Sequence, residues 1–283
     1  MTKHHATSPV LVDEPSLSRA WAKAFLHIVD HPGKEITPLV LSIFNFRTDR
    51  TTPEDDLLRQ SLDDVLARQG QQSVEDVAYT IFPERLWRMA GGNRDKLFQY
   101  YRLAFPRYQA MNRKLNNRGL YFERLTNFSK SAPCDGNQLE WIISQYNRRP
   151  ETRRSMFQAT TFDPQRDHVS TPRLGFPCLQ HVTFVPTEDG LVANAFYATQ
   201  LMLIKAYGNY LGLARLAAFM AHEMNMPLAR LNVTIGVAKL DEIAKTHEAL
   251  HPLIAAARTC IASTTSATTA TASILRTELE TTT

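Results

Sequence analysis

Cysteine is scarce. The 283-residue chain has three, Cys134, Cys178 and Cys260, and they lie too far apart for any zinc-type spacing. That excludes a disulfide framework, predicts no metal centre, and suits a reducing, cytoplasmic setting. Long apolar runs are also missing. A membrane span needs about 18–20 consecutive apolar residues, and the most apolar run, Leu211 to Ala221, is interrupted by Arg215. The polar stretch from Met1 to Pro9 lacks the apolar segment of a secretory signal. Strong charge of one sign is absent too. The net charge is +4 and the pI about 9.0, which helps an anionic ligand find the protein. A nucleic-acid partner asks for charge clustered on one face, and this sequence does not show it. No internal repeat is present.

What is there is a large apolar fraction, 43% of residues, enough for a core without disulfides. Residues 1–14 read as a loose arm, 15–262 as a single domain, and the Ser/Thr/Ala-rich stretch 263–283 as a disordered tail. A helix is expected from Ser16 or Leu17 to Asp30, where His31-Pro32-Gly33 stops it, and a strand from Leu39 to Phe46. Thr52-Pro53-Glu54-Asp55 opens a second helix. One helix is read from Val77 through Met89 to Gly91-Gly92. Another runs from Asp95 to Leu115, with a kink or break at Pro106, and a third from Asn137 to Asn147. Ser155 to Phe162 is a strand candidate. His181–Pro186 and Leu191–Thr199 form a hairpin around Asp189-Gly190. Asn209 to Met224 reads as a helix, Arg230 to Ala238 as a strand, and Asp241 to Leu250 as a last helix. Helices and strands that alternate early, with a hairpin in the centre, predict an α/β (α+β) fold around a mixed sheet.

Cys178 alone is ambiguous, because a lone cysteine is commonly a small buried apolar residue. Its surroundings are more informative. Gly175-Phe176-Pro177-Cys178-Leu179-Gln180 is followed by a strand, an Asp-Gly hairpin, a second strand containing Tyr197, and a helix at Asn209. This order resembles the centre of the thymidylate synthase superfamily, whose Pro-Cys-His motif supplies a nucleophilic thiol. Upstream, Glu84-Arg85-Leu86-Trp87-Arg88-Met89-Ala90-Gly91 resembles that family's Glu-Leu-Leu-Trp helix. Gly119-Leu120-Tyr121 resembles a segment that lines its active site, and Thr152-Arg153-Arg154 one that reaches a substrate phosphate across a dimer. The resemblance covers roughly residues 75 to 250. It implies a three-layer fold with a central mixed sheet flanked by helices, a homodimer, and a pyrimidine nucleotide or related heterocycle as ligand.

The resemblance also assigns roles. A thiolate of Cys178 adds to a pyrimidine ring and makes an adjacent carbon nucleophilic toward a one-carbon electrophile. Glu84 moves protons, Tyr121 stands by the thiol, and Asn209 reads the base edge. Arg153 and Arg154 hold a phosphate bidentately, with Gln180 and Thr199 among the substrate contacts. Trp87 would contact a cofactor, 5,10-methylenetetrahydrofolate. Local readings of the same residues are simpler. Glu84 after Pro83 suits a helix start, and Asn209 after Gly208 suits a helix N-cap. Tyr121 suits a core position, and Arg153-Arg154 a solvated pair.

Departures from the family pattern are numerous. The arginine beside its nucleophile falls on Ala198, its serine on Thr199 and its pterin-anchoring aspartate on Leu201. The histidine after the nucleophile falls on Leu179. The His-x-Tyr pair that holds the sugar falls on Lys239 and Asp241. Ordinary thymidylate formation is therefore not expected. One reading keeps the thiol chemistry on another pyrimidine nucleotide or heterocycle in specialised metabolism. Lys239 and Asp241 then read a different sugar, and Lys239 partly replaces the missing arginine. The other keeps the fold as a non-catalytic nucleotide-binding or partner-binding protein.

Overall fold

The computed structural model of the chain describes residues 8–47, 52–171, 175–240 and 243–263. Seven strands form one mixed sheet, in the order β1-β3-β7-β6-β5-β4, with β2 also paired to β7. The strands are β1 (Val10–Glu14), β2 (Glu35–Ile36), β3 (Leu39–Phe44), β4 (Gln158–Thr160), β5 (Leu179–Thr187), β6 (Gly190–Leu201) and β7 (Leu228–Lys239). β1 runs parallel to β3 and β6 parallel to β7, whereas the β3–β7, β5–β6 and β4–β5 pairs are antiparallel. The α/β class with a mixed central sheet is thus present.

The helices follow local signals. α1 (Leu17–Asp30) is capped by Ser16, whose side chain accepts from the Arg19 N–H, and buries Trp21, Phe25 and Ile28 on one stripe. α2 (Asp56–Arg68) is capped in the same way by Asp55. The helix expected from Val77 to Met89 is two helices, α3 (Val74–Ile81) and α4 (Glu84–Met89). Pro83 cannot donate into an α3 that continued through it, so the chain turns at Phe82-Pro83. The reverse holds in α5 (Arg94–Met111), which runs through Pro106 and ends at Asn112, before the short α6 (Arg113–Asn116). Its buried residues, Leu97, Phe98 and Tyr101, all precede the proline. The short α7 (Tyr121–Thr126) is followed by α8 (Gln138–Arg148) and the four-residue α9 (Pro164–Asp167).

Three further expectations are corrected. Residues 10–14, read as part of a loose arm, are β1, because Val12 and Glu14 turn inward beside β3. The strand expected over Ser155–Phe162 is cut to Gln158–Thr160, since residues 154–156 form a 3-10 turn. No helix covers 243–247. A 3-10 turn at Glu248–Leu250 leads instead into α11 (residues 251–263), with Pro252 in its first turn. Of the expected tail, 263–283, Ser263 is the last residue of α11, and residues 264–283 lie outside the described residues, as does Asp241.

One sheet face is sealed. Leu39, Leu41, Leu231, Val233, Ile235, Ala193 and Tyr197 point to the side covered by α1 and α10 (Tyr207–Glu223), and all are buried. On the other face side chains are half-buried or exposed, apart from Ser42, which is buried. That second face carries a polar row in register, Asp13, Ser42, Asn232, Asn194 and Thr183. Ser42 donates to Asn232 at 2.8 Å, Asn232 to Asn194 at 2.9 Å and Asn194 to Thr183 at 3.0 Å. Arg230 ties Asp13 and Ser42 together at one end.

The β5–β6 hairpin closes on Glu188-Asp189, and Gly190 is its first strand residue, at φ +126°. A Cβ on Gly190 would stand 2.4 Å from the Pro227 carbonyl oxygen, so only glycine fits. α10 lies unusually close to α3. A Cβ on Gly208 would come within 2.6 Å of the Val77 side chain, and one on Gly212 within 2.7 Å of the Ala78 carbonyl oxygen. That approach puts α3 and the start of α10 against the end of β6, where a cavity opens.

A candidate cysteine site

Cys178 stands at the entrance of β5, after a cis Phe176–Pro177 bond. Its backbone is held from two sides. The Tyr121 hydroxyl, at the first turn of α7, accepts from the N–H groups of Cys178 (3.3 Å) and Leu179 (3.5 Å). Gln180 donates its side-chain amide back to the carbonyls of Pro177 (2.9 Å) and Cys178 (3.3 Å). Gln180 is the residue at which the β5–β6 register slips, between the Leu179↔Tyr197 and His181↔Phe196 pairs. A bulge of this kind re-aims the neighbouring side chain. Gln180 therefore acts on the Cys178 backbone and is not a lining residue of the cavity, contrary to its expected substrate contact.

The Cys178 side chain opens on a cavity of about 190 Å³, whose walls include Tyr121, Asn209, Thr199, Gln200, Lys205 and Phe176. Thr199 brings its hydroxyl to 3.9 Å from the sulfur and is its hydrogen-bond donor. Asn209 is buried on the third residue of α10. No side-chain cap forms at that helix start, so the N-cap reading of Asn209 is not realised and its amide faces the cavity instead. A π-type turn at Met202–Ala206 joins β6 to α10 and carries Lys205 into the same wall, where its ammonium donates to Gln72 Oε1 at 2.6 Å. Burial, together with the nearby Cys178, holds the Tyr121 hydroxyl above the ordinary tyrosine range, so it is a proton donor at neutral pH.

Cys178, Tyr121, Thr199 and Asn209 are thus brought together. The other expected residues are elsewhere. Glu84 starts α4 but does not line the cavity. It pairs with Arg88 at 2.7 Å and with Arg215 of α10 at 2.6 Å, tying two helices together. Trp87 packs edge-on against Phe219, ring centroids 5.0 Å apart. Arg153 and Arg154 are exposed at the 3-10 turn before β4. Lys239 lines a second, larger cavity of about 820 Å³ with Lys34, His247, Gln71 and Ile243. Leu201 is common to both cavities, so the two adjoin.

Three residues that support the site were missed in the sequence. Arg124 is 1% exposed and makes a two-pronged pair with buried Asp167 at 2.9 and 3.0 Å. Its remaining N–H groups reach the carbonyls of Arg118 and Thr161. Its guanidinium also lies 5.1 Å above the Phe176 ring, which leans on Tyr121 with centroids 5.0 Å apart. The third is Gln200. Strict alternation from Leu191 puts it on the open face, but Ala198 and Thr199 are both exposed in succession, and Gln200 turns inward.

A mixed α/β chain with a thiol, a phenol, a hydroxyl and an amide converging on one cavity is the class that this fold and site define. No family model matches the sequence, and no curated protein is significantly similar to it. Among the described residues no cluster of His, Cys, Asp or Glu side chains is arranged to hold a metal. None of their helices is long and apolar enough to cross a membrane.

Proposed function

We propose that the chain is a divergent member of the thymidylate synthase superfamily. In this reading it transfers a one-carbon unit, methyl or hydroxymethyl, to carbon 5 of a pyrimidine nucleotide or related heterocycle through a Cys178 adduct. The observation that carries this is the convergence of Cys178, Tyr121, Thr199 and Asn209, from four separate places in the fold, on one cavity. Packing alone does not require a thiol, a buried amide and a phenol to share open space. The thiolate adds to ring carbon 6, the ring π electrons move to the conjugated carbonyl oxygen, and carbon 5 attacks a one-carbon electrophile at the formaldehyde oxidation level; loss of the carbon 5 proton to solvent then expels the thiolate and restores the ring. Thr199 donates to the sulfur. Tyr121 fixes the backbone on both sides of it. Asn209 presents both a donor and an acceptor to a ring edge.

At about 190 Å³ the cavity is smaller than the roughly 300–1,000 Å³ of drug-sized ligand sites. It suits a ring and its substituents, with the rest of the molecule in the adjoining cavity that Lys239 and Lys34 line. The residues present do not fit a reduced folate. Aliphatic Leu201 stands where the resemblance calls for a carboxylate, and Trp87 is engaged with Phe219. No step is assigned through it. The homodimer belongs to the same proposal. The open sheet face, with its polar row between Phe44 and Val192 on one side and Phe196 and Val40 on the other, supports it as a self-complementary surface.

Intact-mass analysis after incubation with a 5-fluoropyrimidine nucleotide and methylenetetrahydrofolate, or formaldehyde as the bare one-carbon electrophile, tests the chemistry. A covalent adduct mapped to Cys178, absent in Cys178→Ser, is expected. A second reading, binding without turnover, is favoured by the Glu84 carboxylate being committed to Arg88 and Arg215 outside the cavity. It predicts that the same nucleotide protects Cys178 without forming the adduct.

A further inference from the structure

Lys205 is the one basic side chain among the described residues that line the Cys178 cavity, and no carboxylate or histidine lines it with them. An ammonium offers donors and no acceptor. On that wall Gln72 spends its carbonyl oxygen on Lys205. Gln200 adds a second donor of fixed sense. It is 3% exposed, and its Oε1 accepts from the Tyr210 hydroxyl at 2.7 Å. Burial keeps that hydroxyl protonated, so its O–H is available for this bond. The Gln200 Nε2 is left with no hydrogen-bond partner in the protein. A buried NH2 without an acceptor costs on the order of 1–3 kcal/mol, and a shift of the Gln200 side chain toward the cavity, which the residue lines, would let a ligand carbonyl satisfy it.

We infer that Lys205 and Gln200 are specificity-determining residues that select a ring bearing an oxo group, of the uracil type, over one bearing an amino group at that edge. An exocyclic amine there would set donor against donor, the mismatch that polar sites reject most strongly. The inference rests on the reading of the cavity as a heterocycle site. It also differs from the expected substitution of Lys239 for the lost arginine, since Lys239 lines the adjoining cavity.

The test is protection of Cys178 from iodoacetamide in the full chain, followed by peptide mass spectrometry, with 2′-deoxyuridylate and 2′-deoxycytidylate as probes. Both carry the same sugar and phosphate, so only the ring edge differs. Protection by deoxyuridylate at a concentration at least tenfold lower is expected, and Lys205→Met should reduce that ratio toward one. Gln200→Glu, which turns the donor into an acceptor, should reduce it further or reverse it. Should that variant not fold, the wild-type ratio and Lys205→Met decide alone. Equal protection by both probes leaves the cavity assignment standing and overturns this inference. So does equal weakening of both by Lys205→Met, which would make Lys205 a phosphate ligand. Protection by neither overturns the cavity assignment and this inference with it.

Discussion

Removing the Asp167 carboxylate should leave a charged guanidinium sealed in the protein. Arg124 is 1% exposed, and the Asp167 side chain in the pair is 0% exposed. The two hydrogen bonds between them, at 2.9 and 3.0 Å, are backed by backbone carbonyls that carry no full charge. Asp167 also accepts from the Asp163 N–H at 2.8 Å, so Asp167→Ala unties the α9 turn as well. Breaking a buried pair from one side costs about 3–5 kcal/mol. At roughly 2–4 °C per kcal/mol for a domain of this size, the melting temperature should fall by about 10 °C. The double variant Arg124→Met/Asp167→Leu removes both charges and should recover most of that loss. Because Arg124 also lies over Phe176, beside Cys178, Asp167→Ala should speed alkylation of Cys178 in the native protein. Thermal denaturation followed by circular dichroism reads the first effect and mass spectrometry the second. A loss under about 1 kcal/mol would be typical of a solvated surface pair and would refute the burial argument.

Other consequences follow from single observations. Gly208→Ala puts a methyl group 2.6 Å from Val77, so an overpacking cost of about 1–3 kcal/mol is expected in chemical denaturation. Nucleotide protection of Cys178 should weaken with it, because Asn209 is the next residue. Burial holds the Glu123 carboxyl above its ordinary value of 4.5, and Oε2 has no hydrogen-bond partner. The folded state then binds the proton more tightly than the unfolded chain, so this group's contribution to stability falls as pH rises from about 4.5. Glu123→Gln should flatten that part of the stability–pH profile, and an unchanged profile would exclude Glu123 as its source. Phe196→Lys puts a charge in the middle of the open sheet face. A dimer seen for the wild type in analytical ultracentrifugation should become monomeric, and a variant that still dimerises would move the interface elsewhere.

Much of the frame was legible because local signals and burial agree in it. Ser16 and Asp55 cap helices where their short polar side chains stand, and the run Leu231, Val233, Ile235 is the buried side of β7. What failed depended on partners distant in sequence. β1 looks like part of a polar arm until β3 is beside it. Pro83 and Pro106 read alike in the chain, yet one separates two helices and the other sits in α5 beyond its last buried residue. In the site, Cys178, Tyr121, Thr199 and Asn209 were named and do converge. Glu84 was assigned to the same chemistry, but Arg215, 131 positions later in the chain, claims its carboxylate. Gln200 escaped notice because the strand loses its alternation at Ala198–Thr199, and Arg124 because its partner Asp167 lies on a four-residue helix with no periodic signature.

A crystal structure of the protein soaked with a 5-fluoropyrimidine nucleotide addresses the catalytic assignment most directly. The account predicts continuous density between the Cys178 sulfur and carbon 6 of the ring, the Asn209 amide on the ring edge, and a ring oxygen facing Lys205 and Gln200. A nucleotide bound on any other surface, or a sulfur left untouched in the presence of saturating ligand, would contradict it.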